Sequence, residues 1–83
     1  MRLNLLDLNC LSFRGAEVYI GLLEIQHTLE RNPPNTDAVR NILKRRAYEL
    51  LDSYERIPLT LRAEAQQIRP LDVGKMMRDL GGL

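Results

Sequence analysis

Between Leu11 and Asn32, apolar residues recur at helical spacing on two sides of one predicted helix. A first stripe is spaced alternately by four and three residues and comprises Leu11, Gly15, Val18, Leu22, Ile25 and Leu29. A second stripe lies roughly opposite and comprises Ala16, Ile20, Leu23 and His27. An ordinary surface helix has one apolar side, so two stripes predict a neighbour on each side. The neighbour of the second stripe is either a helix of the same chain or another molecule.

Two polar strips separate these stripes on the predicted helix. One consists of Glu17, Glu24 and Arg31. The other consists of Gln26 and Glu30, with Tyr19 at its edge.

The run Asn32-Pro33-Pro34-Asn35 ends the first helix, because residues before proline avoid the helical region and proline donates no backbone hydrogen bond. Thr36 is the predicted N-cap of a second helix that runs from Asp37 to about Arg56. Its broad apolar face contains Val39, Ile42, Leu43, Ala47, Leu50, Leu51, Tyr54 and Ile57. A linker this short favours an antiparallel helical hairpin.

Two shorter helices are predicted after Pro58. Thr60 is expected to cap a helix over residues 61–68, and Asp72 one over residues 73–80 that ends at Gly81-Gly82. Residues 1–10 form a leucine-rich arm without a helical pattern, which either covers the protein's own core or docks on a partner.

The sequence thus predicts an all-α fold in which residues 11–83 form a single helical domain. An antiparallel hairpin is joined by two short C-terminal helices into a small bundle. Because a chain of 83 residues buries a modest share of its surface, we expect homodimerisation to complete the bundle.

Composition narrows the possible partners. Twelve basic and eleven acidic residues give a net charge of +1, which lacks the excess of Lys and Arg typical of a dedicated nucleic-acid binder. The single Cys10 cannot form an internal disulfide. With no signal-peptide-like start and no apolar run of about 18 residues, we expect a cytoplasmic protein that does not associate with membranes.

The sequence contains no pattern typical of catalysis or cofactor binding. The glycines do not form a phosphate-binding loop, and His27 has no second His with which to bind a metal. Neither serine has a base beside it in the sequence. We therefore expect no enzymatic activity, no cofactor and no metal site, with His27 as a packing residue.

These expectations favour a small module that binds another protein as an adaptor, chaperone-like protein or inhibitor. The predicted interface comprises Ala16, Tyr19, Ile20, Leu23 and His27, together with Leu5 and Leu8 of the arm. In size and layout the chain resembles small prokaryotic or phage-type helical adaptors, secretion chaperones and inhibitors, although no motif carries this resemblance.

The alternative is a small DNA-binding transcriptional regulator. Its predicted contacts lie on the second helix and comprise Arg40, Lys44, Arg45 and Tyr48. Glu49, Asp52 and Glu55 lie close by and would repel phosphates. The C-terminal helix pair resembles a helix-turn-helix unit, but Lys75 and Arg78 fall at positions that this motif buries when Ala65 is its small residue.

Overall fold

The structure is a computed structural model that describes residues 8–81. Within this range the chain forms four α-helices and no strand, which confirms the predicted all-α class. The helices are α1 (Phe13–Arg31), α2 (Asp37–Tyr54), α3 (Leu59–Ile68) and α4 (Val73–Asp79). The predicted arm therefore lies mostly outside the described residues, apart from a turn in which the Leu11 amide donates to the Leu8 carbonyl.

Side-chain caps begin three of the helices, two of them at the predicted residues Thr36 and Asp72. The Ser12 hydroxyl accepts from the Gly15 amide at the start of α1. Thr36 caps α2 through the Val39 amide at 3.2 Å. The Asp72 carboxylate caps α4 through the Lys75 amide at 3.0 Å.

The start of α3 differs from the prediction. This helix begins at Leu59, two residues early, with Pro58 as its N-cap and Thr60 already inside its first turn. The Pro58 carbonyl accepts the hydrogen bond of the Arg62 amide, while the backbone of Pro58 remains extended. Proline suits the start of a helix because it lacks an amide proton that would need a partner there.

α1 is the most enclosed helix and packs against both α2 and α4. Every member of the first stripe is buried. In the second stripe Ala16 and Leu23 are buried, and Ile20 and His27 are half-buried. The chain itself therefore covers most of the second stripe, which is the first of the two alternatives for that surface.

One of the two predicted polar strips is exposed throughout, and the other is exposed only at Glu30. Glu17, Glu24 and Arg31 are exposed. On the other strip Tyr19 is 0% exposed and Gln26 is half-buried. The connection between α3 and α4 is hydrogen-bonded to both side chains, and it covers Tyr19 completely and Gln26 in part.

α2 packs along α1, with Leu50 beside the Gly21 position and Ile57, just after α2, beside the Gly15 position. The predicted apolar face of α2 is wider than the buried one. Its central residues are covered, but Val39 is 44% and Ile42 68% exposed. No described element packs over these two residues, so the N-terminal half of α2 presents apolar surface to solvent.

Candidate protein-binding surface

The α1–α2 pair has one covered side and one open side. On the covered side, the α3–α4 connection is hydrogen-bonded to Tyr19 and Gln26, and a cavity of about 740 Å³ lies between the α1–α2 pair and the two C-terminal helices. On the open side an elongated depression of about 640 Å³, which we name the open groove, is lined only by α1 and α2. Its lining residues are Arg14, Glu17, Val18, Ile20, Gly21, Glu24, Arg46, Glu49, Leu50 and Ser53.

The floor of the open groove is apolar because the two helices approach closely at Gly21. A Cβ atom at this position would lie 2.9 Å from Leu50 Cδ1, so the lack of a side chain permits the approach. Val18 and Leu50 are each 8% exposed. Ile20 is half-buried and contributes to the wall.

Exposed apolar side chains lie on the same side of both helices as the open groove. Phe13 is 69% exposed and precedes Ile20 by seven residues, which places both on one side of α1. Val39 and Ile42 precede Arg46 by seven and four residues, which places them on the groove side of α2. The groove and its flanks therefore combine an apolar floor with protruding apolar side chains.

A second cavity of about 340 Å³ adjoins the groove at the N-terminal end of α1, and we name it the end pocket. It is lined by Leu11, Ser12, Arg14, Gly15, Val18, Ser53, Arg56, Ile57, Pro58 and Leu61. Arg14, Val18 and Ser53 line both cavities, so the groove and the pocket are continuous. The residues that line the end pocket include two arginines and no acidic residue.

The predicted interface residues divide into three groups. Exposed fractions of at most 4% place the first group in the protein's own core: Leu8, Ala16, Tyr19 and Leu23. Ile20 and His27 are half-buried, and Ile20 lines the open groove. Leu5 lies outside the described residues. In this conformation the first group cannot contact a partner, because the chain already covers it.

Tyr19 is a structural residue rather than an interface residue. Its hydroxyl donates a hydrogen bond to the Arg69 carbonyl at 2.6 Å, and its ring centroid lies 6.1 Å from that of Tyr54. Burial, reinforced by the neighbouring Tyr54, raises the pKa of the Tyr19 phenol well above its ordinary value. The phenol therefore stays neutral and holds the α3–α4 connection against α1.

Two glutamines hold the same connection through their amide groups. Gln26 donates to the Pro70 carbonyl at 3.2 Å and accepts from the Asp72 amide at 2.7 Å. Gln66 donates to the Leu71 carbonyl at 2.9 Å and accepts from the Leu71 amide at 2.8 Å. The two Gln26 hydrogen bonds join residues 44 and 46 positions apart, so sequence spacing alone does not predict them.

The predicted nucleic-acid contacts do not form one free basic face. Arg40 is half-buried and paired with Asp37 at 2.6 Å. Lys44 is half-buried, whereas Arg45 and Tyr48 are exposed. Of the four predicted contacts, only Arg45 and Tyr48 are therefore exposed.

The C-terminal helix pair serves the protein's core. Met76 and Met77 are buried, and α4 packs against α1. Ala65 is fully buried, while Lys75 and Arg78 are exposed. Burial of one side of α4 against α1 limits the side chains that it can offer to a DNA groove.

Within residues 8–81, no helix combines the length and apolar character needed to cross a membrane. The same residues include no cluster of three or more His, Cys, Asp or Glu side chains able to hold a metal ion. No protein family, curated protein or solved structure significantly matches the chain.

Proposed function

We propose that this chain is a small, non-enzymatic protein-binding module that acts as an adaptor, chaperone-like protein or inhibitor. Its binding surface is the open side of the hairpin formed by α1 and α2. The observation that supports this proposal is the apolar floor of the open groove with Phe13, Val39 and Ile42 exposed on the same side. An apolar groove with exposed apolar side chains at both of its ends is typical of interaction surfaces.

The groove is also suited to select its partner. Glu17, Glu24, Glu49 and Arg46 line the groove together with its apolar floor. Charges at the rim of an apolar surface contribute mainly to specificity and to the association rate. An amphipathic helix that lies along α1 and α2 would bury its apolar face while its polar residues meet this rim.

We further propose that the chain forms a homodimer through the same side. Because Ala16 and Leu23 are buried, this interface is limited to Ile20 and His27 of the second stripe, together with the exposed Ile42 of α2. Association would cover apolar surface that a chain of this size leaves exposed. The end pocket lies at the other end of α1 and stays accessible to a different protein.

Site-specific photo-crosslinking in the native cells tests the binding surface. The photoreactive residue p-benzoylphenylalanine replaces Ile42 in one variant and Ile68 in the control. Ile42 is 68% and Ile68 38% exposed, but Ile68 lies at the end of α3 and lines neither the groove nor the end pocket. We expect protein cross-links, to a partner or a second copy, from position 42 and none from position 68. Equal cross-linking from both positions, or none from position 42, would contradict the proposal.

Salt dependence separates this proposal from the DNA-binding alternative. Phosphate contacts weaken steeply as salt rises, whereas an aliphatic interface keeps or gains affinity. We expect the yield of the Ile42 cross-link to be unchanged when cell lysate is irradiated at high salt, and unchanged in the double variant Lys44→Glu with Arg45→Glu. Loss of binding in that variant, with steep salt dependence, would favour a regulator that binds DNA through α2.

A further inference from the structure

We propose that the end pocket receives the anchor of a partner protein, a large apolar side chain with an acidic side chain beside it. The apolar side chain would enter between Leu11, Ile57 and Leu61, and the carboxylate would pair with Arg14. This inference rests on the proposed function, because it specifies the chemistry of the partner that the open side binds.

The shape and the lining of the pocket favour an apolar anchor. Its volume of about 340 Å³ lies within the range of roughly 300–1,000 Å³ typical of ligand sites. Leu11 is buried, and Ile57 and Leu61 are half-buried, so these side chains already form a wall. A large apolar residue placed there would lose most of its contact with water, which is the usual source of affinity at an anchor position.

The charges at the pocket select an acidic neighbour. Arg14 is exposed and forms no ion pair with another residue in the range 8–81. Arg56 shares its charge with Asp52 at 3.2 Å, and both of these side chains are largely exposed. Because no acidic side chain lines the pocket, a carboxylate of the partner is the group that complements Arg14.

The charged residues are basic at the end pocket and mainly acidic in the open groove, which should fix the orientation of a bound segment. Beyond Arg14 the lining of the open groove contains Glu17, Glu24 and Glu49, with Arg46 as its other basic residue. A bound segment would therefore place its acidic residues at the end pocket and its basic residues toward Glu17. A bare phosphate lacks the apolar group that Leu11, Ile57 and Leu61 would enclose, so an amphipathic polypeptide fits better.

Three synthetic peptides test this chemistry. Each is an alanine-based helix of about 14 residues, long enough for partial helicity. The first has Phe at its centre and Glu three and four positions later. The second has Lys in place of both Glu residues, and the third has Ala in place of Phe. Binding to the full chain is followed by NMR of the isotope-labelled protein.

We expect the acidic Phe peptide to shift the methyl signals of Leu11, Val18, Ile57 and Leu61. The Lys peptide should bind about fivefold more weakly, which is the upper range for one exposed ion pair. The Ala peptide should leave these signals unchanged. Arg14→Gln should weaken binding of the acidic peptide about two- to fivefold and not that of the Lys peptide, whereas Arg45→Gln on the outer side of α2 should change neither.

Other outcomes would overturn the inference. These are equal binding of the acidic and Lys peptides, binding that does not need Phe, or competition by inorganic phosphate at matched ionic strength. Shifts confined to residues outside the end pocket would do so as well. Arg14 is exposed, so Arg14→Gln should retain the fold, which its own NMR spectrum verifies.

The two proposals fail in different ways. If Ile42 cross-links to a protein but the peptides show no preference for acid, the surface is a binding site and the anchor chemistry is wrong. If the acidic peptide binds at the end pocket but Ile42 gives no cross-link in cells, the pocket has the proposed chemistry and the proposed function is wrong.

Discussion

The burial of Tyr19 does not follow from its position in the helical repeat of α1. Its position beside Gln26 and Glu30 predicts a polar strip, yet its ring is buried and its hydroxyl is bonded to the Arg69 carbonyl. The partner lies 50 residues away, so the sequence near Tyr19 contains no sign of the contact. The partial burial of Gln26 has the same origin, since its side-chain amide is hydrogen-bonded to the backbone of Pro70 and Asp72.

Tyr19→Phe should lower the free energy of unfolding by about 0.5–1.5 kcal/mol at neutral pH, because the hydrogen bond to the Arg69 carbonyl is lost. The raised pKa of Tyr19 also predicts a pH effect. The unfolded chain releases this proton near pH 10 and the folded chain only at higher pH, so stability should decline as the pH rises above about 10.

Urea denaturation from pH 7 to pH 11 measures both effects. The Tyr19→Phe variant should lose less stability between pH 10 and pH 11 than the parent protein, because Phe has no proton to release. Parallel decline of the two proteins would show that Tyr19 does not contribute to the alkaline loss.

Leu23→Glu should destabilise the protein by about 3 kcal/mol or more, because the carboxylate would enter a site that is 4% exposed. Glu24→Gln, at an exposed position next to it, is the control and should change stability by less than about 0.5 kcal/mol. Thermal unfolding by circular dichroism measures both. A fully stable Leu23→Glu protein would show that Leu23 faces solvent and restore the second stripe as an interface.

At the scale of the helix, the signals that worked are local ones. Thr36 and Asp72 were identified as caps because a cap bonds an amide only three residues away. The Asn32 boundary followed from two prolines, which act on their own neighbours. The predicted start of α3 at residue 61 is wrong because Thr60 resembles an N-cap residue. The helix begins after Pro58, a residue type that is a less common N-cap, and the Pro58 carbonyl accepts from the Arg62 amide.

Substitution by alanine should change the stability of the protein in opposite directions at Gly74, within α4, and at Gly81, just after it. A Cβ at Gly74 would meet Arg78 and Asp72 at ordinary contact distances, so Gly74→Ala should stabilise α4 by about 0.5 kcal/mol. Gly81 follows the helix with a φ of +100°, where alanine is strained, so Gly81→Ala should destabilise by about 1 kcal/mol.

Chemical denaturation of the two variants beside the parent protein measures this difference. Each glycine is the control for the other, because both substitutions add the same methyl group near the same end of the chain. Shifts of equal sign would contradict the backbone conformation described for Gly81 or the free space at Gly74.

For the whole molecule, the sequence could predict that α1 has neighbours on two sides but not which residues provide them. Leu8, Leu71, Met76 and Leu80 share the core with α1, and their arrangement depends on how the chain turns at Arg69–Asp72. The open groove also depends on relative helix placement, because Ile42 belongs by spacing to the apolar face of α2. Only the packing of the complete chain leaves it exposed.

Self-association tests the proposed dimer at this scale. At micromolar concentration, light scattering should give twice the mass of one chain for the parent protein. Ile42→Glu should lower self-association by placing a charge on the open side, whereas Leu59→Glu should not, although both residues are similarly exposed. A monomeric parent protein would remove the homodimer from the proposal and leave binding to a different protein in place.

α3 is held to the rest of the molecule by few buried side chains, which should affect its local stability. Within this helix Ala65 is the one fully buried residue, and Gln66 together with the Arg62–Tyr54 stacking contact links it to its surroundings. Local opening follows the amount of buried contact, so α3 should detach transiently while α1 remains folded. Its backbone amides should then take up deuterium from heavy water well before those of α1, a difference that mass spectrometry of proteolytic fragments would record.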